Sequence, residues 1–441
     1  MMHPYRDFSM LQDSIVAIAW VTGMMVSPEA LILQGNIVGT NGPTYFVAIL
    51  AAMALHGLNT KIYQLIPTNT NPQSGEIFLL KDTFGSLTAS MLLLLSRPVL
   101  AVCLGTATLV ASGFVFNEVF IYWFPNFGFA VLVVLTLLAL NLIGGQTAAI
   151  AQVIFVSVAV SGLLVLSVWA MTLWLQIGTI PHQEPVSLNL NSFALAALLF
   201  IGYDLLNFTN GAGTKINVTS KMLSGIFVTG LLAILWGFAA YLYVSPERLA
   251  DTTLPHILTA KKIGGQAGRV IIGMVIIAGT CAAVNVLFHA VSRMMAQMAD
   301  NQLLPAIFTR FPSRPLLSLF CLAGSIGLLM AIGFAGSDLL DKSIRAGLLF
   351  WLLSYAMTHL ALLIRWHKKR SPYHRPRPSY WPKLHMVVFW AMLICSVGLV
   401  LVDDNIALLL LTMSVIFIIS LFVACLGLFL AKYSFANREP K

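Results

Sequence analysis

Long apolar runs separated by short polar segments make up most of the 441-residue chain. A run of about 20 apolar residues is long enough for a helix to cross the hydrocarbon core of a bilayer. The pattern therefore predicts an all-α protein with twelve membrane-spanning helices. The predicted spans are 14–38, 42–66, 85–113, 127–144, 147–176, 191–213, 221–245, 267–297, 315–335, 343–366, 384–402 and 406–432.

Composition supports a multi-pass membrane protein. Hydrophobic residues make up 59% of the chain and charged residues 9%, and the mean hydropathy is +0.88. Such a chain has too little polar surface to coat a water-soluble protein of this size. All five cysteines fall inside apolar segments, which favours core thiols over disulfides or a metal site, and we expect no bound metal.

The positive charge follows from the predicted topology. Placing the N-terminus inside the cell assigns most of the 25 Lys and Arg residues to cytoplasmic segments, above all RWHKKRSPYHRPRPSYWPK at 365–383. We therefore expect a plasma membrane protein, the inner membrane in a bacterium, with residues 1–13 and 433–441 cytoplasmic. The net charge of +9 is explained by this orientation, and we expect no nucleic-acid partner.

Two predicted spans contain interruptions. VTGMMVSPEALILQG in the first span contains Gly23 and Pro28, and FIGYDLLNFTNGAG in the sixth contains Gly202 and Asp204. Each interrupted span leads a group of five, as expected for two inverted repeats over 14–176 and 191–366, with 384–432 peripheral. In such an architecture the two breaks meet and bind the substrate. The alternative is that glycine only permits close helix packing and proline only kinks a helix.

Several short motifs resemble those of one transporter superfamily. They are, along the chain, GMMVSP (23–28), PQSGEIF (72–78), FIGYD (200–204), SRMMAQMADNQLLPAIF (292–308) and RPRP (375–378). In this order, over about residues 14 to 385, they resemble the amino acid, polyamine and organocation (APC) superfamily. The resemblance implies an alternating-access carrier with the leucine-transporter-like five-plus-five inverted repeat, broken helices 1 and 6, and two peripheral helices.

Departures from the family pattern bear on substrate and coupling. Relatives commonly have GxG before the first break, whereas this chain has Val21, Thr22 and Gly23, so the usual substrate carboxylate pose is in doubt. A lysine that some proton-coupled relatives carry in the fifth helix falls near Ala159 here. We expect no cofactor, and the driving ion stays open between a proton, sodium and a counter-substrate.

The breaks and the charges predicted within the membrane define the candidate site. A charge at the centre of a membrane helix costs about 2.5–3.5 kcal/mol on insertion scales, so each needs a partner or a water-filled cavity. Arg97 is expected to bind an anionic substrate group or to pair with Asp204 or Glu29. The predicted substrate-binding residues are Thr22, Gly23, Met24, Met25, Arg97, Ile201, Gly202 and Tyr203.

Coupling is assigned to a second set. Asp204 is expected to act as a proton-linked gate or to attract a substrate ammonium, with Glu29 and Phe200 as further coupling or gating residues. Arg293 and Asp300, placed by the family signature, are expected to form a salt-bridge latch at the inner end of the eighth span.

The sequence favours a permease or exchanger that moves an amino acid or related amine. Exchange of two solutes is at least as well supported as proton symport, because the fifth-helix lysine is missing. The alternative is a non-transporting nutrient sensor, or a subunit of a heteromeric carrier, with the same fold. An enzyme is not expected, because the chain has no HExxH motif and no phosphate-binding loop. We allow for a homo-oligomer.

Overall fold

The computed structural model describes residues 4–64, 75–178, 190–209, 218–309, 315–368 and 381–436, and these residues form helices and no strand. The α-helices are α1 (Pro4–Gly23), α2 (Pro28–Asn41), α3 (Thr44–Asn59), α4 (Gly75–Phe84), α5 (Ser86–Val119), α6 (Asn126–Ile143), α7 (Gly145–Ile177), α8 (Leu190–Leu198), α9 (Leu206–Thr209), α10 (Val218–Tyr243), α11 (Pro246–Asp251), α12 (Pro255–Asp300), α13 (Leu316–Ala331), α14 (Asp338–His367), α15 (Trp381–Leu401) and α16 (Ile406–Ala436).

Multiple membrane-spanning helices are confirmed, whereas the count of twelve is not. Among the described residues, ten helical stretches are long and apolar enough to cross a bilayer, and the number is eleven if the bent pair Asp13–Gly23 and Pro28–Asn41 is counted as one span. The predicted ninth span is the 16-residue helix α13, which is shorter than those spans. Soon after this helix, Gly333 has a φ of 70°, a left-handed conformation that a continuing helix does not contain.

The predicted eighth span is longer at its N-terminal end than the apolar pattern indicated. Helix α12 runs from Pro255 to Asp300, but Gly264 and Gly265 have non-helical backbone angles. Gly265 has a φ of 55°, which glycine adopts readily because it has no Cβ. The apolar run predicted the long helical segment after this kink, and it did not predict the short helical segment before the kink.

The first of two compact units comprises Met1–His56, Gly105–Leu206 and Ile216–Val286. Within it, α1 packs against α7 and α10, and α11 packs against α2. A buried apolar cluster includes Ala19 and Val26 from the start of the chain, Ala159 from α7 and Ala282 from α12. This unit contains the first interrupted segment and, from the second, residues 200–206 with Gly202 and Asp204.

The second unit comprises Gly57–Leu104, Asn207–Lys215 and Leu287–Lys441. Within it, α14 packs against α4, α15 and α16. Each unit contains residues of both predicted repeats, so the units do not correspond to the repeats. The inverted repeat stays a prediction.

Large apolar side chains are exposed along several helices, as expected where lipid is the solvent. This exposure corrects the prediction for two cysteines. Cys103, Cys281 and Cys395 are buried free thiols, whereas Cys321 and Cys425 are exposed. The sequence pattern could not separate these cases because a lipid-facing position and a core position are equally apolar.

Candidate functional site

The first break is a buried turn between α1 and α2. The Met25 amide donates to the Thr22 carbonyl over 3.0 Å, and the Ser27 amide donates to the Met24 carbonyl over 3.4 Å. Ser27 then caps α2, because its Oγ accepts a hydrogen bond of 3.2 Å from the Ala30 amide. Pro28 occupies the first turn of α2, where its missing N–H breaks no helical hydrogen bond. Pro28 thus starts the second half-helix.

The second break follows α8. The amides of Leu199, Phe200 and Ile201 each donate to the carbonyl three residues earlier, over 3.2–3.3 Å, so the helix tightens before it ends. Gly202 then has a φ of 107°, a left-handed value that glycine tolerates. A 3₁₀ turn over Tyr203–Leu205 follows. Asp204 lies in this turn and is fully buried.

The two breaks are in contact within the first unit. A Cβ added to Gly202 would lie 2.5 Å from Sδ of Met24 and 3.2 Å from its Cβ. Two segments that are distant in the chain therefore meet where each helix is interrupted. Of the predicted substrate-binding residues, the structure brings Thr22, Gly23, Met24 and Met25 together with Ile201, Gly202 and Tyr203 in one buried region of this unit.

His56 supports the second break, a role that the sequence analysis missed. Its Nε2 lies 2.9 Å from the Ala197 carbonyl, and because a carbonyl only accepts, Nε2 carries the proton. The imidazole also packs against the rings of Phe200 and Tyr203, with centroids 5.9 and 5.5 Å away. The isolated histidine at position 56 gave no signal of this contact, because its carbonyl partner lies 141 residues later.

A chain of side-chain amides reaches the first break from three other helices. Nε2 of Gln152 donates to the Ala19 carbonyl over 3.1 Å, and Oε1 of Gln152 accepts from Nδ2 of Asn285 over 2.8 Å. Oδ1 of Asn285 accepts from Nδ2 of Asn141 over 2.9 Å. These side chains are neutral and buried, so they hold α1, α6, α7 and α12 together without adding charge.

Arg97 belongs to the second unit and has an ion-pair partner that the sequence analysis did not consider. Its Nη2 lies 2.7 Å from Oε1 of Glu76, and both side chains are buried. The guanidinium also lies over the rings of Phe208 and Trp351, 5.6 and 5.5 Å from their centroids. Because a carboxylate already accompanies Arg97, its positive charge is weaker support for an anionic substrate group. Binding of substrate by Arg97 stays a prediction.

The remaining predicted residues to place are Glu29, Arg293 and Asp300. Glu29 is in the first turn of α2, where a carboxylate interacts favourably with the helix dipole. In the second unit, Nη1 of Arg293 donates to the Thr209 carbonyl over 3.1 Å. The part of the chain that the structure describes contains no ion pair at Arg293 or Asp300. Arg293 therefore holds a helix end by a backbone hydrogen bond, and the salt-bridge latch stays a prediction.

The fold is similar to that of a solved transporter. The chain superposes on the crystal structure of the Eremococcus coleocola manganese transporter in complex with an aromatic bis-isothiourea substituted compound. The TM-score is 0.58 at 12% sequence identity, with 99% of this chain and 96% of that chain covered. A mutant of the same transporter gives the same TM-score and identity and covers 99% and 97% of the two chains.

Sequence comparison gives the family. No curated protein matches the chain. The family model for amino acid permeases matches residues 14–402. This range contains both breaks and every helix from α2 to α15. The chain is therefore a membrane transporter that belongs to the amino acid permease family of the APC superfamily.

Proposed function

We propose that this transporter is a secondary active carrier that moves an amino acid or related amine by alternating access, with the substrate bound beside the two breaks. The single observation that carries the proposal is the contact between Met24 and Gly202, which joins the two interruptions in one buried region. Interrupted helices expose backbone groups that a continuous helix uses internally, and in broken-helix transporters these groups bind the solute.

A zwitterionic or cationic solute suits the polarity of these helix ends. Helices α1 and α8 end at the breaks, and a helix C-terminus attracts positive charge. Helix α2 begins at the first break, and its N-terminus attracts negative charge. Asp204 adds a buried carboxyl group beside the second break. An ammonium and a carboxylate on one small molecule would match both polarities.

Exchange of two solutes is the mode that we propose. The side chain of the fifth predicted span that reaches the first break is Gln152, a neutral amide.

Alternating access in this fold would follow from two inverted repeats, 14–176 and 191–366. The basic segment 365–383 supports cytoplasmic termini in a plasma membrane, the inner membrane in a bacterium.

Counterflow into proteoliposomes tests this function. The purified chain would be reconstituted in liposomes preloaded with one unlabelled solute, and uptake of the labelled solute would be followed. The panel should contain neutral, acidic and basic amino acids, amines and Mn²⁺, because the structurally similar transporter carries manganese. We expect accumulation of at least one amino acid or amine over protein-free liposomes.

The other outcomes would separate the alternatives. Uptake of Mn²⁺ alone would replace the amino acid assignment with metal transport. Specific binding of an amino acid without counterflow would favour a nutrient sensor or a subunit of a heteromeric carrier. Neither binding nor counterflow of any amino acid or amine would contradict the proposal.

A further inference from the structure

The C-terminal end of α12 turns through a residue with a strained backbone. The Leu303 amide donates to the Met298 carbonyl over 2.8 Å, and the Gln302 amide donates to the Ala299 carbonyl over 2.9 Å. These two hydrogen bonds form a Schellman motif, whose left-handed residue is usually glycine. Here that residue is Gln302, with a φ of 60°, the one non-glycine residue with a positive φ among those that the structure describes. A Cβ makes this conformation costly, so the turn stores strain at the helix end.

Lys81 stabilises the strained turn from another helix. Its Nζ donates to the Asn301 carbonyl over 2.6 Å, and the two residues are 220 positions apart in the chain. A lysine suits this place, because the last carbonyls of a helix have no partner within the helix and carry partial negative charge. The contact is partly buried, so solvent screens it less than a surface contact. The lysine therefore offsets part of the strain at Gln302.

Lys81 belongs to a helix that is joined to α14. Helix α4 packs against α14. Nη2 of Arg365 on α14 lies 2.5 Å from Oδ2 of Asp82, and its guanidinium lies over the Phe78 ring, 5.5 Å from the centroid. These residues and the end of α12 all lie in the second unit. The hydrogen bond of Lys81 thus ties α4, and with it α14, to the end of α12.

We propose that Lys81 is a gating residue: it forms a clasp with the turn over 298–303, and this clasp opens in each transport cycle as Gln302 leaves the left-handed conformation. The inference rests on the proposed transport function and adds to it a gate that is not part of either break. Strain at Gln302 favours opening and Lys81 favours closing, so these two residues set the balance between the closed and open forms. The predicted orientation places the clasp at the cytoplasmic face.

Rates of solute exchange test the contribution of Lys81. Lys81→Met keeps the aliphatic stem and removes the donors, so the clasp should open more easily and the rate should rise about threefold or more. Lys81→Arg keeps a cationic donor and should retain the wild-type rate. Lys383→Met is the control, because Lys383 is an exposed lysine near the start of α15, and it should match wild type. A lysine with a structural role alone would not give a faster carrier when it is removed.

Substitutions at Gln302 test the strain with the opposite sign. Gln302→Gly removes the strain and keeps the turn, so the clasp should stay closed longer and the rate of solute exchange should fall about threefold or more. Gln302→Ala is the matched control, because it removes the amide group but keeps a Cβ in the left-handed conformation, and its rate should stay near wild type. Combining Gln302→Gly with Lys81→Met should return the rate toward the wild-type value.

Deuterium uptake reports opening of the clasp without any substrate. The amides of Gln302 and Leu303 are hydrogen-bonded in the closed clasp, so their uptake follows its opening. It would be measured by mass spectrometry on a peptide that contains 298–305. We expect uptake about threefold or more faster than wild type in Lys81→Met, and slower by a similar factor in Gln302→Gly. A peptide from α16 should be unchanged in both variants.

Two results would overturn the inference: deuterium uptake by the turn that is the same in both variants as in wild type, or a rate of solute exchange that does not rise in folded Lys81→Met. If Lys81→Met misfolds, Gln302→Gly decides, because a rate equal to that of Gln302→Ala would contradict the clasp. If no variant exchanges any solute, the proposed transport function fails, while deuterium uptake still decides whether Lys81 and Gln302 control the turn.

Discussion

Arg97 and Glu76 form a buried ion pair in which Nη2 lies 2.7 Å from Oε1. The pair neutralises an arginine that the sequence placed within a membrane span. Two aromatic rings, those of Phe208 and Trp351, flank the guanidinium. A planar guanidinium can stack on such rings and bind a carboxylate at the same time, which a lysine ammonium does less well.

Glu76→Gln should destabilise the protein strongly. Removing one partner from a buried pair leaves the other charge without compensation, which costs about 3–5 kcal/mol. Asp82→Asn is the matched control, because it removes the carboxylate of the more exposed pair with Arg365, where a loss under about 1 kcal/mol is expected. Chemical or thermal unfolding in detergent measures both. Equal effects of the two substitutions would contradict the assigned burial.

Arg97→Leu and Arg97→Lys separate stability from binding. If Arg97 binds substrate in addition to pairing with Glu76, both variants should weaken the apparent affinity for the exchanged solute. This effect should exceed any loss of folded protein. Affinity is measured as the KM of exchange, normalised to reconstituted protein. An unchanged KM in both variants would restrict Arg97 to a structural role.

Gly202→Ala should strongly reduce transport in a protein that still reaches the membrane. A left-handed backbone costs a residue with a Cβ about 1–2 kcal/mol, and the new Cβ would lie 2.5 Å from Sδ of Met24. We expect at least a tenfold lower exchange rate. Gly324→Ala is the matched control, because a Cβ there meets no atom within 4 Å.

Combining Gly202→Ala with Met24→Ala isolates the contact between the breaks. The second substitution removes the overlapping sulfur but leaves the backbone strain, so exchange should recover in part relative to Gly202→Ala. No recovery at all would mean that the backbone conformation of Gly202 alone limits transport. Both variants are compared by counterflow and by unfolding temperature.

His56→Phe should destabilise the second break while keeping an aromatic ring against Phe200 and Tyr203. The substitution removes the hydrogen bond to the Ala197 carbonyl, which still accepts from the Phe200 amide, so we expect a loss of about 0.5–1.5 kcal/mol. His367→Phe is the control, because His367 is exposed and bonds to a carbonyl of its own helix. Unfolding measures the difference. A stability change no larger than that of the control would show that the Ala197 hydrogen bond contributes little.

An ion cluster joins α14 to the two aspartates between α15 and α16, and it gives a pH prediction for Asp404, which lies outside the membrane spans. Lys342 lies 2.5 Å from both Asp403 and Asp404, and its hydrogen bond lowers the pKa of the Asp404 carboxyl from 3.8 to about 2. Because the folded-state pKa is lowered, this pair stabilises the folded state above the ordinary carboxyl pKa. The stabilisation is lost as pH falls through about 2.

Asp404→Asn should therefore lower the unfolding free energy by a constant amount from about pH 5 to about pH 8. The amount should be under about 1 kcal/mol, because the Asp404 side chain is 81% exposed and solvent screens the pair. Asp403→Asn should have a larger effect, because Asp403 is buried and also pairs with Arg345. A loss for Asp404→Asn that varies strongly across this pH range would contradict the assignment.

The spans and the two breaks could be predicted because their signals are local. A run of twenty apolar residues predicts a span, and a glycine or proline inside that run predicts a break, without knowledge of any other part of the chain. The partner of Arg97 could not be found this way, although Glu76 lies inside one of the family motifs, because pairing depends on how α4 meets α5. Gln152 was missed for the same reason: the family comparison pointed near Ala159, two helical turns further along the fifth predicted span.

Asp204→Asn decides between the two roles of the carboxyl group at the second break. The side chain is fully buried, and asparagine keeps its shape while removing its charge. If Asp204 attracts a substrate ammonium, the KM of exchange should rise by about 10-fold or more, because a hydrogen bond to a charged group contributes about 1.5–3 kcal/mol. If it is a proton-linked gate, the pH dependence of exchange should flatten while KM stays near the wild-type value. Asp251→Asn, at an exposed helix end, is the control. A variant with wild-type KM and pH profile would exclude both roles and leave Asp204 as a structural group of the break.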